Sequence, residues 1–402
     1  MGNTLVQNIL AKKTKGKVEV GEIVEVNVDM TMAHDISGPH TAKVLQKEMG
    51  VEKVWDPSKV VLIPDHFVPA KDIASAELSL SLRKFALEQG AHYFEIGRAG
   101  ICHVVMVEEG FVAPGDVVIG GDSHTCTYGA VGAFATGVGA TDLAAVWALG
   151  TIWLRVPPTI AVHFKGDFPP WVYPKDVALY LMKVMENERA NYKALEFHDR
   201  TDKKIPMEGR LTISNMTVEA GGKVGIFPPD EVTFDYLRDR ARKSFESVYP
   251  DKDADYEEVV EVDISSLEPI VAQPFLPSHI APVSELEKKK IKIDQVIIGS
   301  CTNARLSDLR IVGHILKGRR IHPDIRVILL PGSQRVFREA LKEGLIDIFM
   351  DAGITVSTST CGPCVGGHMG VLAKGEKAVS TTNRNFRGRM GHPEAEVYLA
   401  SP

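Results

Sequence analysis

The 402-residue chain is 44% hydrophobic and 24% charged, an ordinary globular composition with length for two or three domains. A net charge of −6 offers no general attraction for nucleic acid or anionic membranes, so anion binding must come from local basic residues. The five cysteines suit a reducing compartment better than a disulfide framework, the start lacks a signal-peptide pattern, and the most apolar helix candidate, 143–154, is short of the roughly twenty residues that span a bilayer, so the expected location is the cytoplasm.

Residues 21–29 alternate as a half-buried strand does and lead into a turn carrying His34. Continuous apolar runs at 60–63 and 117–119 read as buried strands. The first delivers Asp65 and His66 at its carboxyl end, and the second delivers Asp122, Ser123 and His124. That end is where open α/β sheets bind their ligands. Segments 75–89 and 141–154 have helical spacing, which predicts a parallel or mixed α/β sheet. The glycine-rich stretch 128–139 is followed by Asp142 where a dinucleotide loop needs its third glycine, so it reads as close backbone packing.

The sheet pattern breaks at 165–171, and an amphipathic helix follows over 177–185; the expected domains are 1–164, 165–284 and 285–402. In the second, Asn215 and Glu219 stand four apart and share a face if helical. Segment 236–258 is charged and helix-prone, and 285–290 reads as a charged linker. The third unit reads as strand, Cys301 turn, helix, a strand ending near Ser333, a helix over 335–344, and then the turn of Cys361 and Cys364.

A Cys-x-x-Cys pair alone is shared by redox and zinc proteins, but Cys301 in Gly299-Ser300-Cys301-Thr302-Asn303 adds a third thiol at a strand end. Three thiolates, where an electron-transfer cluster has four, leave one iron free to take substrate oxygens. A Cys3His zinc site completed by His368 is the competing reading. Polar neighbours such as Asn303 supply donors to sulfur. Arg384 and Arg389 follow, and guanidinium forks match carboxylates, which predicts a polyacid substrate; a solvated or RNA-contacting basic run is the alternative. Moving water across a carbon–carbon bond takes a Lewis acid, a proton donor and a base. The acid–histidine combinations supply the second, whereas Ser123 is only a weak candidate for the third.

Pro64-Asp65-His66, Gly121-Asp122-Ser123-His124-Thr125, Asn215 to Glu219, Gly299 to Asn303, Thr360-Cys361-Gly362-Pro363-Cys364 and Asn383 to Arg389 together resemble the aconitase family over nearly the whole chain. Within that family they resemble the branch of separate large subunits acting on isopropylmalate or homoaconitate. The resemblance implies three packed α/β domains around an iron–sulfur cluster, without the fourth, swivelling domain of one-chain aconitases. It implies a [4Fe-4S] cluster on Cys301, Cys361 and Cys364, with one iron that no protein group ligates and that binds the substrate hydroxyl and a carboxylate. It pairs Asp65 with His66, Asp122 with His103 and Glu219 with His124 for catalysis, assigns His34, Ser123, Arg384 and Arg389 to the substrate, and sets Asn215, Asn303 and Asn383 about the cluster. His34 stands where aconitase proper has glutamine, as in the isopropylmalate-like branch. Since the fourth domain carries the serine base, the resemblance predicts a small-subunit partner supplying it, little activity from this chain alone, and a natural chain that continues past Pro402. The expected reaction is conversion of 2-isopropylmalate to 3-isopropylmalate in leucine biosynthesis, with homoaconitate or another malate homologue as the alternative substrate. A cluster-dependent RNA-binding protein and a zinc scaffold are the readings from other classes. Cys102 and Cys126 fall outside the ligand positions and read as packed thiols.

Overall fold

The short apolar runs become the centres of parallel sheets in the computed structural model, which describes residues 2–402. Strands Val60–Leu62, Met30–Ala33 and Val117–Gly120 are buried throughout and pair in parallel, flanked by His92–Tyr93 and Phe134–Gly137 in a five-stranded sheet. Such unbroken apolar strands suit a parallel sheet covered on both faces. A second, all-parallel sheet runs Val224–Ile226, Ala194–Asp199, Thr159–Lys165, Glu258–Asp263. The third holds five parallel strands, in the order Glu396–Leu399, Lys377–Ser380, Gln295–Ile298, Arg326–Leu329 and Thr355–Val356. Two antiparallel strands, Ile270–Ala272 and Ile280–Pro282, extend its first edge. Thr159–Lys165, which the boundary at 164/165 would leave with the first unit, pairs wholly within the second sheet, and 270–282 joins the third.

Local differences from the sequence reading have identifiable causes. The helix expected over 141–154 is Ala140–Leu149, stopped by left-handed Gly150 (φ 74°). The residues beyond it, opening with β-branched Thr151 and Ile152, form strand Thr151–Arg155, antiparallel to Ile23–Asn27, whose exposed and buried residues alternate. Segment 236–258 is not helical after Leu237. Its charges are spent on the first unit instead: Arg242 donates to the Glu109 carbonyl at 2.6 Å, and Lys243 meets Asp116 at 2.7 Å. The linker at 285–290 is a helical turn, Val283–Leu286, running into a 3-10 turn, Glu287–Lys289. A helix absent from the sequence reading, Leu345–Ala352, follows Gln334–Lys342 after left-handed Gly344. Among the described residues no helix is long and apolar enough to cross a membrane.

Helix Met207–Met216 joins the units, and a buried ion network sets its position. Arg210, fully buried, donates through both terminal nitrogens to Asp230 at 2.7 Å each and through one to Asp199 at 3.1 Å. Removing one member of such a buried network leaves an uncompensated charge. The glycine-rich stretch packs backbone to backbone as its composition predicts. A methyl on Gly129 would sit 1.9 Å from the Gly225 carbonyl oxygen, and one on Gly137 would sit 2.2 Å from that of Asp122. Gly129→Ala should therefore cost about 2–3 kcal/mol in a urea unfolding curve. Gly139→Ala, where a methyl meets nothing within 4 Å, should stay within about 0.5 kcal/mol of the parent. Equal midpoints for the two variants would refute the close approach.

Candidate active site

Three neighbouring strands of the five-stranded sheet end at the site. Met30–Ala33 delivers His34 and Asp35, Val60–Leu62 leads to Asp65 and His66, and Val117–Gly120 delivers Asp122. Asp35, fully buried, accepts the backbone N–H groups of Asp65 and His66 on Oδ1 at 2.9 Å each and that of Phe67 on Oδ2 at 2.7 Å. This fixes the turn that presents His66. Asp122 caps the 3-10 turn Ser123–Val131 by accepting the His124 N–H at 2.7 Å, and helix Cys102–Glu108 brings in His103.

The carboxylates and imidazoles meet as pairs. Asp65 Oδ1 lies 2.6 Å from His66 Nδ1, and Asp65 Oδ2 accepts the Cys102 N–H at 2.7 Å. Burial opposes charge on the His66 ring, but Asp65, then Asp122 and Asp35, outweigh it and push its pKa up to about 9. With Nδ1 donating to Asp65, the Nε2 proton of His66 lies on the side of Asp122, whose Oδ2 is 3.8 Å away. His34 stacks on His66 with centroids 3.9 Å apart, and its Nδ1 accepts the Ile36 N–H at 3.2 Å, which leaves its Nε2 proton facing Asp122 Oδ2 at 3.5 Å. His103 Nε2 reaches Asp122 Oδ1 at 2.8 Å, and its Nδ1 meets the Tyr128 hydroxyl at 3.1 Å. Burial lowers the His103 pKa against the pull of Asp122 and raises Tyr128 well above the usual range, so the phenol donates to a neutral imidazole. His124 lies between Glu219, 2.8 Å from its Nε2, and Asp122, 3.5 Å from its Nδ1. Burial opposes its charge, yet those two acids raise its pKa. Asp122 itself is held well below the usual carboxylate range, since the bonds from His103, His124 and His34 overcome burial.

Opposite this wall stand the thiols. Cys301 follows Gly299 (φ 151°) and Ser300, whose φ of 79° is a left-handed conformation that a serine adopts only where the surroundings hold it there. Its sulfur accepts from the Asn215 amide at 3.1 Å and the Asn383 amide at 3.3 Å, and Asn383 also donates to Asn215. Cys364 Sγ lies 3.5 Å from Asn383 Oδ1 and 3.8 Å from the Arg389 guanidinium. Burial, with Cys364 nearby, pushes Cys301 up to about 12, while a bond from Cys361 and the charge of Arg389 pull Cys364 down against burial. The Cys361 N–H and the Thr360 hydroxyl both donate to the Asp65 carbonyl, at 2.7 and 2.8 Å, which ties the two walls together.

All three thiols line one cavity of about 290 Å³ together with His34, His66, His103, Asp122, Ser123, His124, Asn383, Arg384 and Arg389. Arg384 donates from Nε to Glu219 at 2.7 Å and from Nη2 to the Ser123 hydroxyl at 3.0 Å. Arg389 Nε is buried without a partner, a donor suited to an anion. Asn303 is placed differently from the expectation: its amide bonds Asp308 at 3.0 Å rather than a sulfur, because Asp308 caps helix Leu306–Leu316 and holds it. Cys102 and Cys126 are buried and outside the cavity lining, with Cys126 bonded to the Asn215 carbonyl at 3.4 Å.

Sequence reasoning missed Asp35, although it follows His34 at the same strand end, and it missed Tyr128 and Lys175. Lys175 is fully buried, with its Nζ 2.7 Å from the Thr382 carbonyl, 3.0 Å from that of Thr381 and 3.4 Å from Thr302 Oγ1. In sequence it is one more lysine at a helix start.

Three thiols with amide donors on one wall and carboxylate–imidazole pairs on the other define a metal-cluster enzyme equipped for proton transfer. The chain belongs to the aconitase family: the pattern of the "Aconitase family (aconitate hydratase)" matches residues 7–402. Membership implies a [4Fe-4S] cluster, and the donor set fits one. The chain is 54% identical to the 3-isopropylmalate dehydratase large subunit of Moorella thermoacetica, covering 100% of this chain and 95% of that one. It is 50% identical to that of Aquifex aeolicus (100% and 94%), and 48% identical to 3-isopropylmalate dehydratase large subunit 1 of Methanopyrus kandleri (100% and 96%). The solved holo-form of Thermococcus kodakaraensis aconitase X shares the fold, with TM-score 0.53 and 13% identity over 90% of this chain and 84% of that one.

The Asp65–His66 pair predicts a pH signature. His66 is held at about 9 in the fold against an ordinary value of 6.5, so its contribution to stability is complete below about 6.5 and is lost as pH rises through about 9. Urea midpoints of the metal-free chain should fall over that window more steeply for the parent than for His66→Gln. Parallel curves would rule the coupling out.

Proposed function

We propose that the chain is the large, cluster-bearing subunit of a hydro-lyase that interconverts 2-isopropylmalate and 3-isopropylmalate in leucine biosynthesis, working in the cytoplasm with a separate small subunit. The observation that carries this reading is the single cavity shared by three thiols, two arginines and the histidines of the acid–base pairs. Cys301, Cys361 and Cys364 hold a [4Fe-4S] cluster with one iron free of protein ligands, which when bound supplies a Lewis acid for the substrate hydroxyl and a carboxylate. Arg384, braced by Glu219 and Ser123, and Arg389, with its free Nε, take the substrate carboxylates. His66, charged at neutral pH with Nδ1 on Asp65, holds the proton that the departing hydroxyl needs to leave as water. The carbon-bound proton goes to a base on the small subunit, whose swivelling domain closes the cavity; rehydration then returns the hydroxyl to the neighbouring carbon. Homoaconitate is the runner-up substrate, since groups that sort side chains can lie on the partner.

A tetrahedral zinc would draw its sulfurs to roughly 3.8 Å of one another. The metal-ligand atoms that gather within 4.8 Å in threes or more are His34, Asp35, Asp65 and His66, and His103, Asp122 and His124; among the described residues the thiols form no such group. His368 bonds Thr360 at 3.1 Å. The zinc scaffold is therefore the poorer reading.

The test is anaerobic reconstitution with iron, sulfide and a separately produced small subunit, assayed on both substrates. The parent should bind iron and sulfide and turn over isopropylmalate. Cys364→Ser should lose the cluster, and His66→Ala should keep it while losing turnover by about 10²-fold or more. Stoichiometric zinc without inorganic sulfide would defeat the proposal, and preference for the longer tricarboxylate would replace its substrate.

A further inference from the structure

Lys175 is a buried cation with no anion beside it. It is fully buried, and its three hydrogen-bond acceptors are the neutral carbonyls of Thr381 and Thr382 and the Thr302 hydroxyl, none of them a carboxylate. The carboxylates whose charge reaches it, Asp308 and Asp176, are engaged elsewhere: Asp176 accepts the N–H groups of Tyr173 and Ile270, and Asp308 those of Asn303 and Arg305. Lys175 is also the second residue of helix Pro174–Val184, an end where the helix dipole disfavours a cation. Burying a charge without a partner is costly, so the fold needs a counter-ion there. Its acceptors lie on the two loops that face the cluster site, Thr302 beside Cys301, and Thr381 and Thr382 just ahead of Asn383, which donates to the Cys301 sulfur.

We propose that Lys175 is a positioning residue whose ammonium is the built-in counter-charge of the iron–sulfur cluster, clamping the Cys301 and Asn383 loops and holding the cluster's negative charge in place. The inference rests on the cluster reading above. A cluster bound through three thiolates is the anion that the ammonium lacks in the metal-free chain.

The test compares the parent with Lys175→Met and Lys175→Gln, each full length, reconstituted with iron and sulfide. The one-electron reduction potential of the bound cluster, followed by electron paramagnetic resonance in a redox titration, should move to more negative values in both variants, because an electron is harder to add once a nearby positive charge is gone. Cluster loss to a chelator should be several-fold faster. Thermal melts should show a larger drop for the cluster-loaded variants than for the metal-free ones. An unchanged potential with full iron content, or equal drops in the two forms, would make Lys175 a hydrogen-bonding strut and overturn the proposal. Variants that cannot fold even without metal would overturn it too, since the metal-free fold must tolerate losing the charge. A parent that binds no iron and sulfide would sink the cluster reading itself.

Discussion

Asp65 holds the two walls of the site in register. Its backbone carbonyl accepts from Cys361 and Thr360 on the thiol wall, its side chain bonds His66 and the start of the helix bearing His103, and its N–H is held by Asp35. One residue at a strand end thus couples the position of the Cys361 thiol to that of the His66 imidazole. The coupling is rigid because every one of these groups is buried and the low dielectric makes each unmade bond expensive. Asn215 and Asn383 do the same from the other side, drawing helix Met207–Met216 and the last loop onto one sulfur, Cys301. Arg210, deep in its own ion network, keeps that helix where Asn215 can reach.

Much of this was readable in the chain because the relevant signals are local. Buried parallel strands are short apolar runs, and residues at their ends follow within a few positions, so His34, Asp65, His66, Asp122 and Cys301 could be placed at turns before any pairing was known. Pairing itself is not local. Glu219 and His124 are 95 residues apart, and Asn215 and Cys301 are 86 apart; no periodicity records such contacts, and only the likeness to a family suggested them. Buried charges are silent as well: Lys175 and Arg210 look in sequence like the solvated cations of any amphipathic helix. The end of the helix at Leu149 was missed because an apolar helix and the apolar edge strand after it run together without a break other than Gly150.

The charges around the cavity are arranged by second partners rather than by Asp122, which faces four imidazoles. His103 and His66 both approach it, at 2.8 and 3.8 Å, yet their pKa values move in opposite directions. His103 is lowered by burial, with the charge of His124 adding to it, and carries only the Tyr128 hydroxyl on its far nitrogen, whereas His66 has Asp65 there, an acceptor that favours the charged ring over burial. The same carboxylate therefore stands between a fixed neutral donor and a transferable proton.

That arrangement bears on where the other proton of the proposed reaction must go. Asp65 is bound to His66 and Cys102, Asp122 to His103 and His124, and Glu219 to His124 and Arg384, so each carboxylate of the site already serves a cation or an imidazole. Ser123 accepts from Arg384, which lowers the basicity of its oxygen. A base strong enough to take a carbon-bound proton needs a free lone pair and a location near neutral groups. The residues that line this cavity are organised as proton donors and anion holders. In the proposed reaction the division of labour would follow from electrostatics: a wall rich in cations suits a cluster and a polyacid, and the same field weakens any base set within it, a penalty that a base carried on the proposed partner subunit would escape until substrate had neutralised the charge.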